Sequence, residues 1–251
     1  MSNIGVAFSG GGVKGIAHLG ILKYLTEIGI KPSVISGTSA GSLVVAFYSE
    51  GYEPREIFKI GKEENFFSQS NLLIRNGGLF NPDVFSNIIK KYIPHDTIEN
   101  LEIPIYITAT DLTNAKLVVF TEGSLALAIK SSCSVPLIFQ PVLHNGNMLI
   151  DGGLLNNLPV DIIQNKCDKI IGIDVNSVIK MDGKVSYRGI IERTIHIAVN
   201  KNSENKKGMC HLYMEPLYQK NYKMFDFKKM DEIYELGYLY AQNFKDELLN
   251  L

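Results

Sequence analysis

The sequence predicts an α/β fold in which helices cover a parallel β-sheet. A short apolar run at residues 3–8 precedes a helical pattern that carries Leu19, Leu22, Leu25 and Ile28 at helical spacing. A second apolar run, 32–36, precedes a second helical pattern that extends to residue 50. Strand–helix–strand–helix is the order produced by parallel strands with helices packed on their faces. The chain has 251 residues and is 45% hydrophobic, enough for one large domain with a sizeable core.

The elements follow in order. Residues 3–8 read as a buried first strand; they lack the basic start of a secretory leader and run directly into glycines. A helix spans 14–28 and stops at Gly29. Residues 32–36 form a short second strand, and 40–50 a second helix ended by Gly51. Residues 53–94 read as mostly helical, with an exposed Phe66-Phe67 pair and a turn at Asn76-Gly77-Gly78. Residues 103–108 form a central strand, 116–120 a further strand and 125–132 a helix. Val142-Leu143-His144 and Asn147-Met148-Leu149-Ile150 flank Asn145-Gly146, the dipeptide favoured in a type I′ hairpin turn. Residues 169–174 form another strand, and helices over 189–200 and 227–249 complete the pattern.

Composition narrows the function. A formal net charge of −1 argues against a polyanion or nucleic-acid binder. No apolar run reaches the roughly 18–20 residues of a spanning helix, so any expected membrane contact is made from the surface. Cys133, Cys167 and Cys210 are odd in number and widely spaced, with neither a disulfide framework nor metal-ligand spacing. Reduced thiols and a cytoplasmic setting are expected, with no metal and no cofactor.

The first chemical motif is Gly37-Thr38-Ser39-Ala40-Gly41, placed where a strand becomes a helix. That is the setting of a nucleophile elbow, in which a sharp turn exposes a serine hydroxyl and the neighbours must be small. The helix N-terminus adds positive potential beside a developing oxyanion. The plain alternative is a Gly/Ser loop between two elements.

The second motif is Ser9-Gly10-Gly11-Gly12-Val13-Lys14-Gly15, between the first strand and the first helix. Consecutive glycines let backbone N–H groups approach an anionic oxygen, either a phosphate or an oxyanion. Gly10, Gly12 and Gly15 also fit the dinucleotide pattern G-x-G-x-x-G, but the second strand ends in Ser36-Gly37-Thr38-Ser39, without the ribose-binding acid. Ile16 and Ala17 after Gly15 exclude a P-loop. Lys14 opposes the helix dipole, which points to an anionic ligand, a charge-balancing role or a solvated surface position.

The third motif, Asp151-Gly152-Gly153, ends the return strand of the hairpin. A carboxylate there could take the serine proton directly, or it could simply occupy a turn. A triad would need a histidine late in the chain. His196 lies mid-helix among apolar residues, as a satisfied structural histidine does; His211 lies in an irregular segment; His18 packs within the first helix.

These three motifs, in this order, resemble the patatin-like phospholipase family, whose pattern is a Gly-rich loop with a basic residue, then G-x-S-x-G, then D-G-[GA]. Gly78-Leu79-Phe80, Thr108-Ala109-Thr110-Asp111-Leu112, Ser131-Ser132-Cys133-Ser134-Val135-Pro136, Phe139-Gln140-Pro141-Val142, Asn157-Leu158-Pro159-Val160 and the stretch 225–237 are also similar. Ser9 stands where many relatives have aspartate. The resemblance implies a three-layer α/β/α sandwich with a mostly parallel central sheet. It implies one domain over 1–251, with the motifs in 4–164 and residues 165–251 packed on them.

The resemblance further implies a Ser39–Asp151 dyad that hydrolyses fatty-acyl esters of lipids. Ser39 attacks the ester, Asp151 acts as base, and backbone N–H groups around Gly11, Gly12 and Val13 bind the oxyanion. Acyl transfer to an acceptor other than water, or thioester cleavage, uses the same residues. A nucleotide-binding module built on Gly10–Gly15 and a catalytically silent scaffold are the competing classes. Between residues 201 and 229, seven lysines (201, 206, 207, 220, 223, 228, 229) face Glu204, Glu215 and Asp226 and are interleaved with Tyr213, Met214, Tyr218, Tyr222, Met224 and Phe225. That mixture suits either a solvated face or the inner surface of an anionic membrane.

Overall fold

The computed structural model describes residues 3–64, 72–75, 78–177, 187–217, 222–224 and 226–251. Phe66, Phe67, Asn76, Gly77, Tyr218, Lys220 and Phe225 lie outside the described residues.

Strand β1 (Ile4–Phe8) leads through a 3₁₀ turn (Gly12–Gly15) into α1 (Ile16–Glu27). Then come β2 (Val34–Thr38), α2 (Ala40–Ser49) and α3 (Pro54–Glu63), the last opened by a reciprocal cap between Glu53 and Glu56. The stretch expected to be mostly helical also contains an antiparallel pair, β3 (Leu72–Arg75) and β4 (Gly78–Phe80), ahead of α4 (Asp83–Tyr92). Strands β5 (Ile105–Asp111) and β6 (Lys116–Phe120) precede α5 (Leu125–Ser132). The hairpin β7 (Val142–His144) and β8 (Asn147–Asp151) turns on Asn145 and Gly146, both at positive φ (48° and 79°), as a type I′ turn requires. Short helices α6 (Gly153–Asn156) and α7 (Val160–Ile163) lead to β9 (Lys169–Ile173), α8 (Tyr187–Glu204), β10 (Leu212–Met214), α9 (Met230–Gln242) and α10 (Lys245–Leu249).

The main sheet has eight strands in the order β10-β9-β1-β2-β5-β8-β7, with β6 also paired to β5. Strands β10, β9, β1, β2 and β5 run parallel, whereas β6, β7 and β8 pair antiparallel. Alternate side chains leave opposite faces of each strand. Val6, Phe8, Ile35, Ile171 and Ile173 enter the larger core, which also holds Leu22 of α1, Val45 of α2, Ile57 of α3, Ile89 of α4, Ile129 of α5 and Ile233 of α9. Ala7, Val34 and Ile170 enter a smaller core with Leu158, Val160 and Ile163. Helices on both faces of a mostly parallel sheet make three layers.

One register relation positions the chemistry. A strand has two edges, and residues Ile107–Asp111 of β5 give one of them to β6. Strands β2 and β8 share the other: Thr38 pairs with Thr108, and Asp151 pairs with the next residue, Ala109. Because β2 is parallel to β5 and β8 is antiparallel, their C-terminal ends meet head to head.

Candidate active site

Ser39 stands at that meeting point. It follows β2 and precedes α2 with φ 52° and ψ −122°, a backbone conformation that costs a non-glycine residue of order 1–3 kcal/mol. The surroundings leave no room for larger neighbours. A Cβ on Gly37 would lie 2.5 Å from the Gly41 carbonyl oxygen, and one on Gly15 would lie 2.6 Å from the Ala40 methyl. A Cβ on Gly41 would run into the Phe8 and Ser9 carbonyls. Hydrogen bonds hold the turn: the Ser39 amide donates to Ser132 Oγ at 2.8 Å, and the Ser39 carbonyl accepts from Ser42 N at 2.8 Å and Ser42 Oγ at 2.5 Å. Thr38 points away from the reacting side, its Oγ1 2.6 Å from Thr108 Oγ1 and donating to the Asn156 carbonyl at 2.8 Å.

The Asp151 carboxyl lies beside the Ser39 hydroxyl, which favours its ionised form. Its Oδ1 accepts from Gly153 N at 2.7 Å, and its own amide donates to the Ser134 carbonyl at 2.9 Å. Burial pushes its pKa up to about 6, against the opposing pull of the Ser39 hydroxyl and the Gly153 N–H. Gly152 is required to be glycine because a Cβ there would sit 2.5 Å from Thr108 Oγ1.

The glycine loop lies directly on the serine: a Cβ added to Gly10 would be 3.0 Å from Ser39 Cβ. Gly12 has φ 62°, in the left-handed region. The loop amides divide by partner. Gly10 N donates to the Asn157 carbonyl at 3.2 Å and Val13 N to the Met224 carbonyl at 2.9 Å. Among the described residues, the Gly11 and Gly12 amides are bonded to nothing. Val13, expected beside these two as a donor to the oxyanion, is thus engaged by the C-terminal part of the chain.

Lys14 is not a solvated surface residue. It is only 6% exposed, and its Nζ donates to Asn176 Oδ1 at 3.0 Å. Burial lowers its pKa to about 8, with the charge of nearby Asp174 acting in the opposite direction. The charge-balancing role is the one its surroundings support.

None of the five histidines is bonded to Ser39 or Asp151. His18 is buried, its Nε2 2.9 Å from the Ser9 carbonyl, and burial pushes its pKa down to about 4. His211 Nδ1 accepts from Ile170 N at 3.1 Å. His196 departs from the expected satisfied structural histidine: its Nε2 is buried without a hydrogen-bond partner among the described residues, and burial, assisted by Lys14 and Arg193, lowers its pKa to about 4.

Beside Ser39 opens a cavity of about 130 Å³, walled by Leu43, Phe47, Ile60, Ile88, Phe139 and Met224 among others. The wall is apolar nearly throughout, which suits a hydrocarbon chain and excludes a phosphate-rich nucleotide. Among the described residues, no group of three His, Cys, Asp or Glu side chains could hold a metal ion, and no helix is long and apolar enough to cross a membrane.

Sequence reasoning missed Ser132, Met224, Asn157 and Asn176. Ser132 and Asn157 sit in runs noted only for their similarity to relatives, and Met224 reads only with the lysine-rich face; Asn157 and Met224 touch the loop through backbone carbonyls and Asn176 through its side-chain amide, which leave no periodic trace.

Comparison with known proteins identifies the family. The model of the family described as "Patatin-like phospholipase" matches residues 6–163. "Lysophospholipase NTE1" of Kluyveromyces lactis is 30% identical over 98% of this chain and 19% of its own length. "Patatin-like phospholipase domain-containing protein 6" of Homo sapiens is 27% identical over 96% of this chain and 20% of its own. The chain therefore spans about a fifth of these curated relatives. VipD from Legionella pneumophila shares the fold, with a TM-score of 0.56 at 13% identity, over 98% of this chain and 67% of that one. The elbow, the glycine loop and the Asp-Gly-Gly turn all fall within the matched segment, and the chain belongs to the patatin-like phospholipase family.

Proposed function

We propose that the protein is a lipid acyl hydrolase in which Ser39 is the nucleophile and Asp151 its base. The observation that carries the reading is the Asp151 carboxyl beside the hydroxyl of Ser39, which itself lines an apolar cavity. The acyl chain of a lipid ester enters the cavity and its carbonyl lies over Ser39. As Ser39 Oγ attacks, its proton passes to Asp151 and the carbonyl oxygen becomes an oxyanion. The Gly11 and Gly12 amides, unbonded among the described residues, receive it; each such donor is worth about 10²–10³ in rate. The C–O bond to the alcohol then breaks, and Asp151 returns the proton to the departing oxygen. Water, deprotonated by Asp151, releases the fatty acid and restores Ser39. A carboxyl near pH 6 suits both halves, since it is ionised at neutral pH yet basic enough to accept a proton.

The names of the relatives favour phospholipid and lysophospholipid as donors, and contact with the inner membrane surface belongs to the same proposal. The lysine-rich face contributes less charge to it than its sequence promises. Lys201 pairs with Glu204, Lys206 with Asp161, Lys207 with Glu215 and Lys229 with Glu232.

The deciding experiment incubates lipid extracts with wild type and with Ser39→Ala and follows free fatty acid by mass spectrometry. Release by wild type alone supports the reading. Equal release by both, or failure of a fluorophosphonate to label Ser39, sinks it.

A further inference from the structure

Asn176 lies three residues past β9, beyond the family-matched segment, and is 2% exposed. Its side-chain amide is wedged between two groups of opposite demand. Lys14 Nζ can only donate, and it meets Asn176 Oδ1 at 3.0 Å. The Gly10 carbonyl can only accept, and it receives Asn176 Nδ2 in a short hydrogen bond. The cation on one side therefore decides which way the amide is turned. Ser9 Oγ adds a second donor to the Gly10 carbonyl at 3.0 Å and accepts Val175 N at 3.0 Å. Asp174 Oδ1 accepts the Asn176 backbone N–H at 2.9 Å, and Asn200 Nδ2 donates to the Asn176 carbonyl at 2.5 Å. The backbone comes close enough here that a Cβ on Gly11 would strike Val175 Cγ2 at 2.6 Å.

A trans peptide is planar, so its C=O and the following N–H point in opposite directions. A clamp on the Gly10 carbonyl is therefore also a clamp on the Gly11 N–H. We infer that Asn176, oriented by Lys14, is the positioning residue of the oxyanion loop: it holds the Gly10–Gly11 peptide so that the Gly11 N–H faces the oxygen bound over Ser39. Lys14 acts through Asn176 and does not itself touch the oxyanion. The inference rests on the hydrolase reading proposed above. An asparagine suits the post because it presents one donor and one acceptor from a short stem. Aspartate has no donor for Gly10 and would set a second carboxylate beside Asp174.

The test compares Asn176→Ala with wild type on a soluble acyl ester and on two probes. One is a long-chain alkyl trifluoromethyl ketone, which adds Ser39 and carries an oxyanion. The other is a methyl ether of the same chain, which does neither. Loss of one oriented donor predicts a fall in kcat of about 10²-fold, with KM within threefold. Affinity for the ketone should fall by a similar factor and affinity for the ether should stay unchanged. The pH midpoint set by Asp151 should not move. Lys14→Met, which keeps the buried stem and removes the cation, should show the same split at about tenfold, and it decides the matter if Asn176→Ala does not fold. A kcat within threefold of wild type, or equal losses for ketone and ether, overturns the inference. If wild-type Ser39 is not labelled by a fluorophosphonate, the hydrolase reading falls, and this inference with it; labelling that is equally fast in both proteins removes only this inference.

Discussion

The Asp151 carboxyl lies beside the Ser39 hydroxyl, and burial raises its pKa to about 6. In the proposed mechanism the working base is the ionised form, so kcat/KM should rise with pH through a midpoint near 6 and then level off. A profile flat from pH 5 to 8 would remove Asp151 as the base.

The same burial carries a stability cost. The folded state binds the Asp151 proton more tightly than the unfolded chain does, so between the ordinary value of 3.8 and about 6 this group makes stability fall as pH rises. At neutral pH the buried charge is a net burden. Asp151→Asn should cut turnover by 10³-fold or more and yet raise stability at pH 7 by about 1–3 kcal/mol, measured by urea unfolding. At pH 4 the gain should shrink.

Strain at the elbow is separable from chemistry. Ser39→Gly and Ser39→Ala both delete the hydroxyl, but only glycine is at ease at φ 52°, ψ −122°. Ser39→Gly should be the more stable of the two by about 1 kcal/mol. Equal midpoints in denaturant would mean that the turn stores no strain.

Close backbone packing predicts a sharp contrast between glycines. Gly37→Ala drives a methyl to 2.5 Å from the Gly41 carbonyl oxygen and should cost about 3 kcal/mol together with activity. Gly208→Ala, with nothing within 4 Å of the new methyl, should stay within about 0.5 kcal/mol of wild type. Thermal unfolding of the pair checks this.

The cavity should measure chain length. Gly61 of α3 lines it, and a Cβ there meets only Met230 Cε at 3.7 Å and Ile16 Cδ1 at 3.8 Å. Gly61→Leu should therefore fold, with about 1 kcal/mol of helix propensity gained, and place its side chain in the acyl space. Kinetics on a series of acyl esters should show long-chain turnover reduced tenfold or more and butyrate turnover nearly unchanged. A uniform loss would place the acyl chain elsewhere.

Much of this site is legible in the residues themselves. The elbow, the glycine loop and Asp151 announce themselves because each needs small residues at fixed offsets from a strand end. The Asn145-Gly146 hairpin is equally readable, since few dipeptides tolerate two positive φ values. Strand β2 reaches two residues further than its apolar run suggests, because Thr38 is bonded on its polar side to Thr108 and Asn156. Lys14 is ambiguous in sequence; its burial depends on Asp174 and Asn176, which only the pairing of β1 with β9 brings near. The Val13–Met224 hydrogen bond is unreadable for the same reason, as it joins backbone to backbone across the length of the chain.

The head-to-head arrival of β2 and β8 on one edge of β5 has a consequence for divergence within such a fold. Ser39 and Asp151 owe their contact to two pairings with adjacent residues, Thr108 and Ala109. The residues between β2 and β5 and between β6 and β8 need only leave the sheet and return. Because the entropy of closing such a detour grows slowly with its length, those intervals can lengthen, shorten or acquire new walls around the cavity while the reacting pair keeps its spacing. Substrate preference can drift there, and the chemistry stays pinned to a single strand edge.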